Sequence, residues 1–208
     1  MKVFLASSNP GKLREYRELA NGSVLEIGLL PNFGEIPPFN EAAPTFAENA
    51  AGKALYYSRF TREVVLADDS GLTVLALAGA PGVYSARYAG PDRTAHDCVL
   101  KLLKEMQAKE GNERRACFVC VIAVARQDQV LAVVSDFVEG TIANEPHGFQ
   151  GFGYDPVFYV PDARATFAEL SPEEKNRFSH RGKAFRKVVE FLNLSASLPG
   201  PPTSNSTV

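Results

Sequence analysis

The chain has 208 residues, 45% of them hydrophobic, which suits one sizeable α/β domain with an adequate core. Its formal net charge is −2 at pH 7, so we expect no nucleic-acid partner, although a few lysines at one cleft would suffice for a small phosphate ligand. The N-terminal apolar run is too short for a signal peptide and no run spans a bilayer, so we expect a cytoplasmic protein without a membrane partner.

Strand and helix patterns alternate along the first part of the chain, and a long hairpin follows. Pro10 suits the first turn of a helix, and Thr94 and Ser171 are typical N-caps. The pattern predicts a mixed sheet with helices on both sides, in a single domain over 1–194, followed by a mobile Ser/Pro-rich tail at 195–208. Strands are predicted at 2–6, 24–30, 64–67, 116–126 and 130–139, and helices at 13–20, 46–60, 95–109 and 181–192.

The cysteines do not indicate a redox or metal centre. Cys117 and Cys120 have C-x-x-C spacing, but they lie inside the apolar run 116–125, which is typical of a core strand. Because no second pair of ligands exists, we expect Cys98, Cys117 and Cys120 to be buried, reduced thiols.

The strand predicted at 64–67 runs directly into two carboxylates, Asp68 and Asp69, followed by Ser70 and Gly71. In an open α/β sheet, ligands bind in the crevice beyond the carboxyl ends of the strands. Adjacent carboxylates raise each other's pKa unless a positive charge lies between them, and hard oxygen ligands favour Mg²⁺ or Ca²⁺. An ordinary acidic turn, with Ser70 capping the next segment, is the alternative on this stretch alone.

Residues 7–12 (SSNPGK) join a strand to a helix, so backbone N–H groups, a helix N-terminus and Lys12 meet where an anion could bind. The spacing of a Walker A loop is absent. Lys53 lies on the helix that Thr45 opens, and Glu41 lies in the irregular loop before it. A plain turn, a solvated lysine and a surface glutamate are the alternative interpretations.

Two later segments combine aromatic and polar side chains. One glycine-rich loop holds Phe152, Tyr154 and Asp155, where an aromatic face could stack on a nucleobase and a carboxylate could accept hydrogen bonds from ring N–H groups. His180 and Arg181 stand side by side before the last helix and could donate to the oxygen edge of a purine. Core aromatic packing and a solvated cationic helix start are the alternatives.

Six segments in order along the chain resemble the inosine-triphosphate pyrophosphatase family, the dITP/XTP pyrophosphatases, and they span nearly all of the chain before the tail. The resemblance implies an elongated mixed sheet in two lobes, with the active-site cleft between them, and a homodimer. It also implies Mg²⁺-dependent cleavage of dITP, ITP and XTP to the nucleoside monophosphate and pyrophosphate, which removes deaminated purines from the nucleotide pool. The segments are 7–12, 45–50 with Lys53, 67–72, 79–88, 152–156 and 179–184.

The same resemblance implies roles for individual residues. Asp69 would be the catalytic proton acceptor that activates water, and Glu41 and Asp69 would hold Mg²⁺, with Asp68 sharing the metal indirectly. Residues 7–12 would hold the triphosphate, and Phe152 would stack on the base. The residues implied to contact the nucleotide are Ser7, Ser8, Asn9, Pro10, Gly11, Lys12, Lys53, Ser70, Phe152, Gly153, Tyr154, Asp155, Lys175, His180 and Arg181.

Selectivity is expected at the 6-position of the base. Donors at His180 and Arg181 suit the 6-oxygen of inosine or xanthosine and leave adenine badly paired, whereas rejection of guanine would need a further contact. A related pyrophosphatase with other preferred bases, such as modified pyrimidines, is one alternative. A nucleotide-binding or RNA-binding module without turnover is another, which the near-neutral charge disfavours in its RNA form.

Overall fold

A seven-stranded mixed sheet organises the chain in our computed structural model, which describes residues 1–197. In chain order the strands are β1 (Lys2–Leu5), β2 (Glu26–Leu29), β3 (Val64–Val74), β4 (Arg115–Arg126), β5 (Gln129–Ile142), β6 (Phe158–Val160) and β7 (Ala165–Thr166). They lie side by side in the order β2–β1–β3–β4–β5–β6–β7. β1 is parallel to both β2 and β3, and the remaining pairs are antiparallel.

Helices pack on both faces of this sheet, which confirms the predicted fold class. Pro10 occupies the first turn of the first helix, and the Asn9 side chain caps it. Thr94 and Ser171 cap their helices through capping boxes, as the sequence predicts. Over residues 1–197 the α-helices are α1 (Pro10–Ala20), α2 (Phe46–Ser58), α3 (Ala95–Glu105), α4 (Pro172–Phe178) and α5 (His180–Ser197).

The strand prediction at 64–67 is wrong at its C-terminal end. β3 continues through both carboxylates to Val74, and Asp68 and Asp69 pair with Ile122 and Val121 of β4. The long antiparallel pairing with β4 satisfies the backbone of β3 beyond its apolar run, so the polar side chains do not end the strand. The two carboxylates therefore lie inside a central strand and not in a turn.

Alternation along β3 sends these two neighbours to opposite faces of the sheet. Leu66 packs into a core that the sheet shares with α1 and α5, whereas Ala67 packs into a core shared with α2. Asp68 therefore faces α1 and α5, and Asp69 faces α2. This geometry separates two groups that the sequence alone suggested would act on each other directly.

The predicted hairpin around 127–129 is confirmed, because β4 and β5 pair along almost their whole length. Within the described chain the three cysteines are free; Cys98 and Cys120 are buried as expected, but Cys117 is only half-buried. A third core, where β3 to β6 meet α3, includes Leu102 and Phe158.

The terminal helix α5 begins at His180, one residue before the predicted start, and continues to Ser197, three residues into the segment predicted as a tail. The rest of that segment, 198–208, lies outside the described residues. No helix in the part of the chain that the structure describes is both long and apolar enough to cross a membrane. The division of the domain into two lobes stays a prediction.

Candidate active site

A single cavity of about 930 Å³ gathers the residues that the sequence motifs single out. Every residue predicted to contact nucleotide or metal lines this cavity, apart from Asp68. These predicted residues come from the start of α1, the loop before α2, α2 itself, β3, the 152–155 loop, α4 and the start of α5. Segments far apart in sequence thus share one space, of a size typical of small-molecule sites.

The start of α1 forms the cationic end of the cavity. Asn9 Oδ1 accepts hydrogen bonds from the backbone N–H groups of Gly11 (2.8 Å) and Lys12 (3.2 Å). The cap therefore already occupies amides that the sequence suggested for an anion. A phosphate here would instead meet the positive end of the helix dipole and the ammonium group of Lys12.

Asp69 points from β3 towards α2, and the residue is 7% exposed. Its Oδ2 atom is buried and accepts no hydrogen bond from any described residue. Burial raises the pKa of the Asp69 carboxyl more than Lys12 and Lys53 lower it, and Glu41 adds a further upward shift. A carboxylate with a raised pKa and an unpaired oxygen in a cavity is suited to accept a proton or to bind a cation.

Glu41 and Asp69 fit the donor set that Mg²⁺ prefers. Glu41 forms an ion pair with Lys53, whose Nζ also donates to the Asp68 carbonyl oxygen at 2.8 Å. Residues 1–197 hold no group of three or more His, Cys, Asp or Glu side chains that could bind a metal by themselves. Mg²⁺ is commonly held by one or two carboxylates together with substrate phosphates and water, so this pair suffices only with substrate present.

Asp68 is buried behind the cavity wall and is fully engaged. Its Oδ1 contacts the Lys12 ammonium and accepts from Ser70 Oγ at 2.9 Å, while its Oδ2 accepts from Tyr16 Oη and Arg181 Nε, both at 2.8 Å. Burial raises the pKa of Asp68, but Arg181 and Lys12 lower it by more, so it lies well below its usual value. These contacts favour a positioning role for Asp68 over metal binding.

Two further acids complete the buried ionic network. The Lys175 ammonium contacts Glu15 and lies 2.6 Å from Asp155 Oδ2, and the Arg181 guanidinium contacts Glu15 as well. Burial raises the pKa of Glu15, but Arg181 and Lys175 lower it by a larger amount, so its net shift is downward. For Asp155 burial prevails over Lys175, and the net shift of the pKa is upward. The network fixes both cations at the base end of the cavity.

The Phe152 ring lies between α1 and these cations. Lys175 Nζ is 5.1 Å and Arg181 Cζ is 5.5 Å from the ring centroid. A Cβ atom at Gly11 would lie 2.6 Å from Phe152 Cδ1, so the ring packs against the glycine backbone. The Phe152 N–H donates to Asp155 Oδ2 at 2.7 Å, which holds the loop in place. The half-buried ring thus presents a fixed stacking surface to the cavity.

His180 and Tyr154 complete this end. His180 is buried, and burial together with Arg181 and Lys175 places the pKa of its imidazole well below the usual value, so the ring is neutral. Its Nδ1 atom is buried without a hydrogen-bond partner in the described structure. Tyr154 is also buried, and its hydroxyl donates to the Ser85 carbonyl oxygen at 2.9 Å, which gives it a structural role beside the cavity.

Two residues that support the site, Glu15 and Asn49, had no role predicted from the sequence. Glu15 follows Lys12 by three positions, a spacing that on a helix usually indicates a solvated surface pair. Asn49 is buried and binds both backbone groups of Ala43, at 3.0 and 3.2 Å, which ties the Glu41 loop to α2. The position of Asn49 in the first turn of a helix does not by itself predict these two hydrogen bonds. Such roles depend on contacts across the fold and have no local pattern.

Comparisons with known proteins show which proteins this chain is similar to. The model of the Ham1 family matches residues 3–191. A dITP/XTP pyrophosphatase of Desulforamulus reducens is 48% identical over 198 residues, covering 93% of this chain and 96% of its own. One from Thermus thermophilus is 48% identical over 202 residues, covering 97% and 94%. The solved structure of a HAM1 protein from Coxiella burnetii aligns with a TM-score of 0.83 at 42% identity, covering 93% of this chain and 99% of that one.

Proposed function

This chain belongs to the Ham1 family of nucleoside-triphosphate pyrophosphatases, and we propose that it hydrolyses dITP, ITP and XTP to the nucleoside monophosphate and pyrophosphate. In the cell this reaction would remove deaminated purines from the nucleotide pool. The observation that carries the proposal is the single cavity whose lining brings together Asp69, the cationic start of α1 and the aromatic, donor-rich group of Phe152 and His180.

The triphosphate would lie along the start of α1. Lys12 and Lys53 both reach the backbone carbonyl of Asp68, at 3.3 and 2.8 Å, so their ammonium groups converge beside β3. Phosphoryl transfer needs positioning and neutralisation of charge more than covalent help from the protein. Two lysines and a helix N-terminus at this point supply both.

Asp69 would act as the base for the attacking water. Its raised pKa makes the carboxylate a stronger proton acceptor than a solvated aspartate. Its unpaired Oδ2 leaves an acceptor free for a water molecule or a metal. Mg²⁺ held by Glu41 and Asp69 would neutralise phosphate charge and lower the pKa of the water. Lys53, which pairs with Glu41 in this structure, would then be released towards the phosphates.

Metal dependence has a direct test. We expect chelation with EDTA to abolish hydrolysis of ITP and added Mg²⁺ to restore it. Glu41→Gln should raise the Mg²⁺ concentration needed for half-maximal activity, because it removes one of the two carboxylates. Full activity in EDTA would contradict the proposed cofactor.

The purine would stack on Phe152, with its 6-oxygen facing donors. Three N–H groups of Arg181 are engaged by Glu15, Asp68 and Ser70, and a guanidinium carries five, so two remain for a ligand. A site built on donors leaves them unpaired when adenine offers its amino group, and such a loss discriminates by several orders of magnitude.

A nucleotide panel tests the substrate class. We expect pyrophosphate from ITP, dITP and XTP, and at least about a hundredfold lower kcat/KM for ATP and for pyrimidine triphosphates. Separate detection of phosphate and pyrophosphate identifies the bond that breaks. Preference for a modified pyrimidine would indicate a related pyrophosphatase of different specificity. Binding without turnover would indicate a nucleotide-binding module.

We also propose a homodimer, as the resemblance implies, in the cytoplasm. Val133 and Phe137 are 46% and 53% exposed and project from the same face of β5, which leaves an apolar surface open to solvent. Sedimentation equilibrium should give twice the mass of the chain, and Phe137→Glu should shift it to the monomer. A wild-type monomer at micromolar concentration would contradict the dimer.

A further inference from the structure

The His180 imidazole combines an unpaired nitrogen with a tightly defined ring plane. The residue is 3% exposed, and Nδ1 has no hydrogen-bond partner among residues 1–197. A buried polar atom normally has a partner, so an unpaired one at a cavity indicates a place where a ligand can bind. Without a protein hydrogen bond at Nδ1, the orientation of the ring depends on packing.

Phe118 provides that packing. Its ring is parallel to the His180 ring, with 4.7 Å between centroids and an interplanar angle of 5°. The other ring near His180, Phe167, is more distant and more tilted, at 6.4 Å and 27°. Phe118 also lines the cavity, so the stacked pair forms part of its wall.

Phe118 is itself fixed in position. It lies in β4, where it pairs with Leu72 of β3 and Val138 of β5. Phe158 packs edge-on against it, with 4.7 Å between centroids and an angle of 61°. Because β4 is hydrogen-bonded on both sides, its backbone fixes where the Phe118 ring enters the core, and the face of that ring orients the imidazole that stacks on it. The edge contact with Phe158 adds core packing and is not required for this orientation.

The charges around His180 do not fix its plane. Arg181 and Lys175 face it from its own helix and from α4, Lys12 faces it from α1, and Asp68 from β3. None of these groups is hydrogen-bonded to Nδ1. They act on the charge state of the ring, whereas the stacking acts on its orientation.

We propose that Phe118 is the positioning residue for base recognition: its stacked ring holds His180 in the plane in which the unpaired Nδ1 meets the oxygen edge of a 6-oxopurine. The inference rests on the proposed function, because it names the support of the same base end. Phe118 touches neither the phosphates nor Asp69 in this account. Its loss therefore affects base discrimination and KM, and leaves kcat nearly unchanged.

The test compares Phe118→Leu with Phe158→Leu, measuring kcat and KM for ITP and ATP. Phe158 is fully buried, contacts Phe118 and does not line the cavity, so its truncation is a matched loss of core packing. We expect Phe118→Leu to lower the ITP-to-ATP ratio of kcat/KM about tenfold, the effect of a misoriented side chain, mainly through the KM for ITP. Phe158→Leu should keep the ITP-to-ATP ratio within about twofold of the wild-type value. Phe118→Tyr, which keeps the stacked aromatic face, should retain the wild-type ratio.

A spectroscopic readout separates positioning from general loosening of the core. The chain has three histidines, so the imidazole ¹⁵N signals of His180 can be assigned by substitution. Inosine monophosphate should shift the Nδ1 signal in the wild type and in Phe158→Leu, but much less in Phe118→Leu. If Phe118→Leu does not fold, Phe118→Met fills similar volume without a planar face and answers the same question.

The outcomes separate the inference from the function on which it rests. An unchanged ITP-to-ATP ratio and an unchanged Nδ1 shift in Phe118→Leu would overturn the positioning role and leave the proposed function standing. A wild-type enzyme that does not distinguish ITP from ATP would overturn both.

Discussion

Two adjacent side chains, Asp68 and Asp69, show how one strand supports both structure and chemistry. Asp68 is buried among cations and hydroxyls that occupy both of its oxygens, whereas Asp69 keeps one oxygen unpaired. The cause is the two-residue period of β3, which points the first towards α1 and α5 and the second towards α2. Neutralising each carboxylate should therefore have opposite effects on stability.

Asp69→Asn should remove most of the activity and stabilise the fold. Its turnover of ITP should fall by about 10²–10⁴, the usual contribution of a general base. Because burial raises the folded-state pKa of Asp69, the ionised form costs stability at neutral pH, and the neutral amide removes that cost. Calorimetry should show a higher melting temperature than that of the wild type. An active Asp69→Asn enzyme would contradict the assignment of the base.

Asp68→Asn should destabilise the fold strongly. The substitution leaves Arg181 and Lys12 beside a neutral amide, and breaking a buried ion pair typically costs about 3–5 kcal/mol. Urea unfolding at pH 7 measures the change, with Asp69→Asn as the control at the adjacent position. Equal stability of the two variants would show that the ionic contacts of Asp68 contribute little.

The sequence could identify ionisable groups of the site, but not which of them face the cavity and which are buried in ion pairs. The family resemblance singled out Lys12, Lys53 and Asp69, whereas the local pattern alone left an ordinary structural role open for each of them. The direction in which Asp68 points follows only from the pairing of β3 with β4, over fifty residues away in sequence. Glu15 has the appearance of a surface residue until α4 and α5 bring Lys175 and Arg181 against it.

Among the secondary-structure elements, the start of α1 links the phosphate end of the cavity to the base end. Gly11 lies in its first turn, and the Phe152 ring occupies the space where a side chain would be. Close packing of the Phe152 ring therefore leaves no room for a side chain at Gly11 in the first turn of α1.

Gly11→Ala should weaken substrate binding. Its Cβ atom would lie 2.6 Å from Phe152 Cδ1, so the ring must shift. Since base–aromatic stacking is worth about 1–3 kcal/mol, we expect KM for ITP to rise about tenfold with little change in kcat. Gly28→Ala is the control, because its Cβ would meet Phe4 at an ordinary 3.7 Å. Equal KM values for the two variants would show that the ring does not stack on the base.

Element boundaries followed from the sequence where capping chemistry is local. Thr94 and Ser171 cap their helices with their own side chains, so the starts of α3 and α4 were accessible to a sequence pattern, whereas α1 begins three residues before the predicted 13–20 helix. The end of β3 could not be predicted from its own residues, because its pairing with β4 continues through the polar residues to Val74.

At the level of the whole protein, buried ionisable groups set the dependence of stability on pH. His180 is neutral in the folded state because burial lowers its pKa well below that of the unfolded chain. Its stabilising contribution is complete above about pH 6.5 and is lost as the pH falls towards the folded-state pKa. Asp68 and Glu15, whose pKa values are lowered, act in the same direction only below about pH 4.

Urea unfolding measured between pH 7 and 5 tests the contribution of His180 to the pH dependence of stability. The free energy of unfolding should fall by up to about 1.4 kcal/mol per pH unit below pH 6.5 on account of His180. His180→Gln, which cannot gain a proton, should reduce this slope. An identical slope in the variant would show that the pKa of His180 is the same in the folded and unfolded states.

The central claim is that Asp69 brings a water molecule to the innermost phosphorus of a nucleotide bound in one cavity. Hydrolysis of ITP in H₂¹⁸O, followed by mass spectrometry of both products, tests this claim most directly. We expect the label in the monophosphate, because water attacks the α-phosphorus and pyrophosphate leaves. Label in the pyrophosphate, or in free phosphate, would place the attack elsewhere and contradict the account.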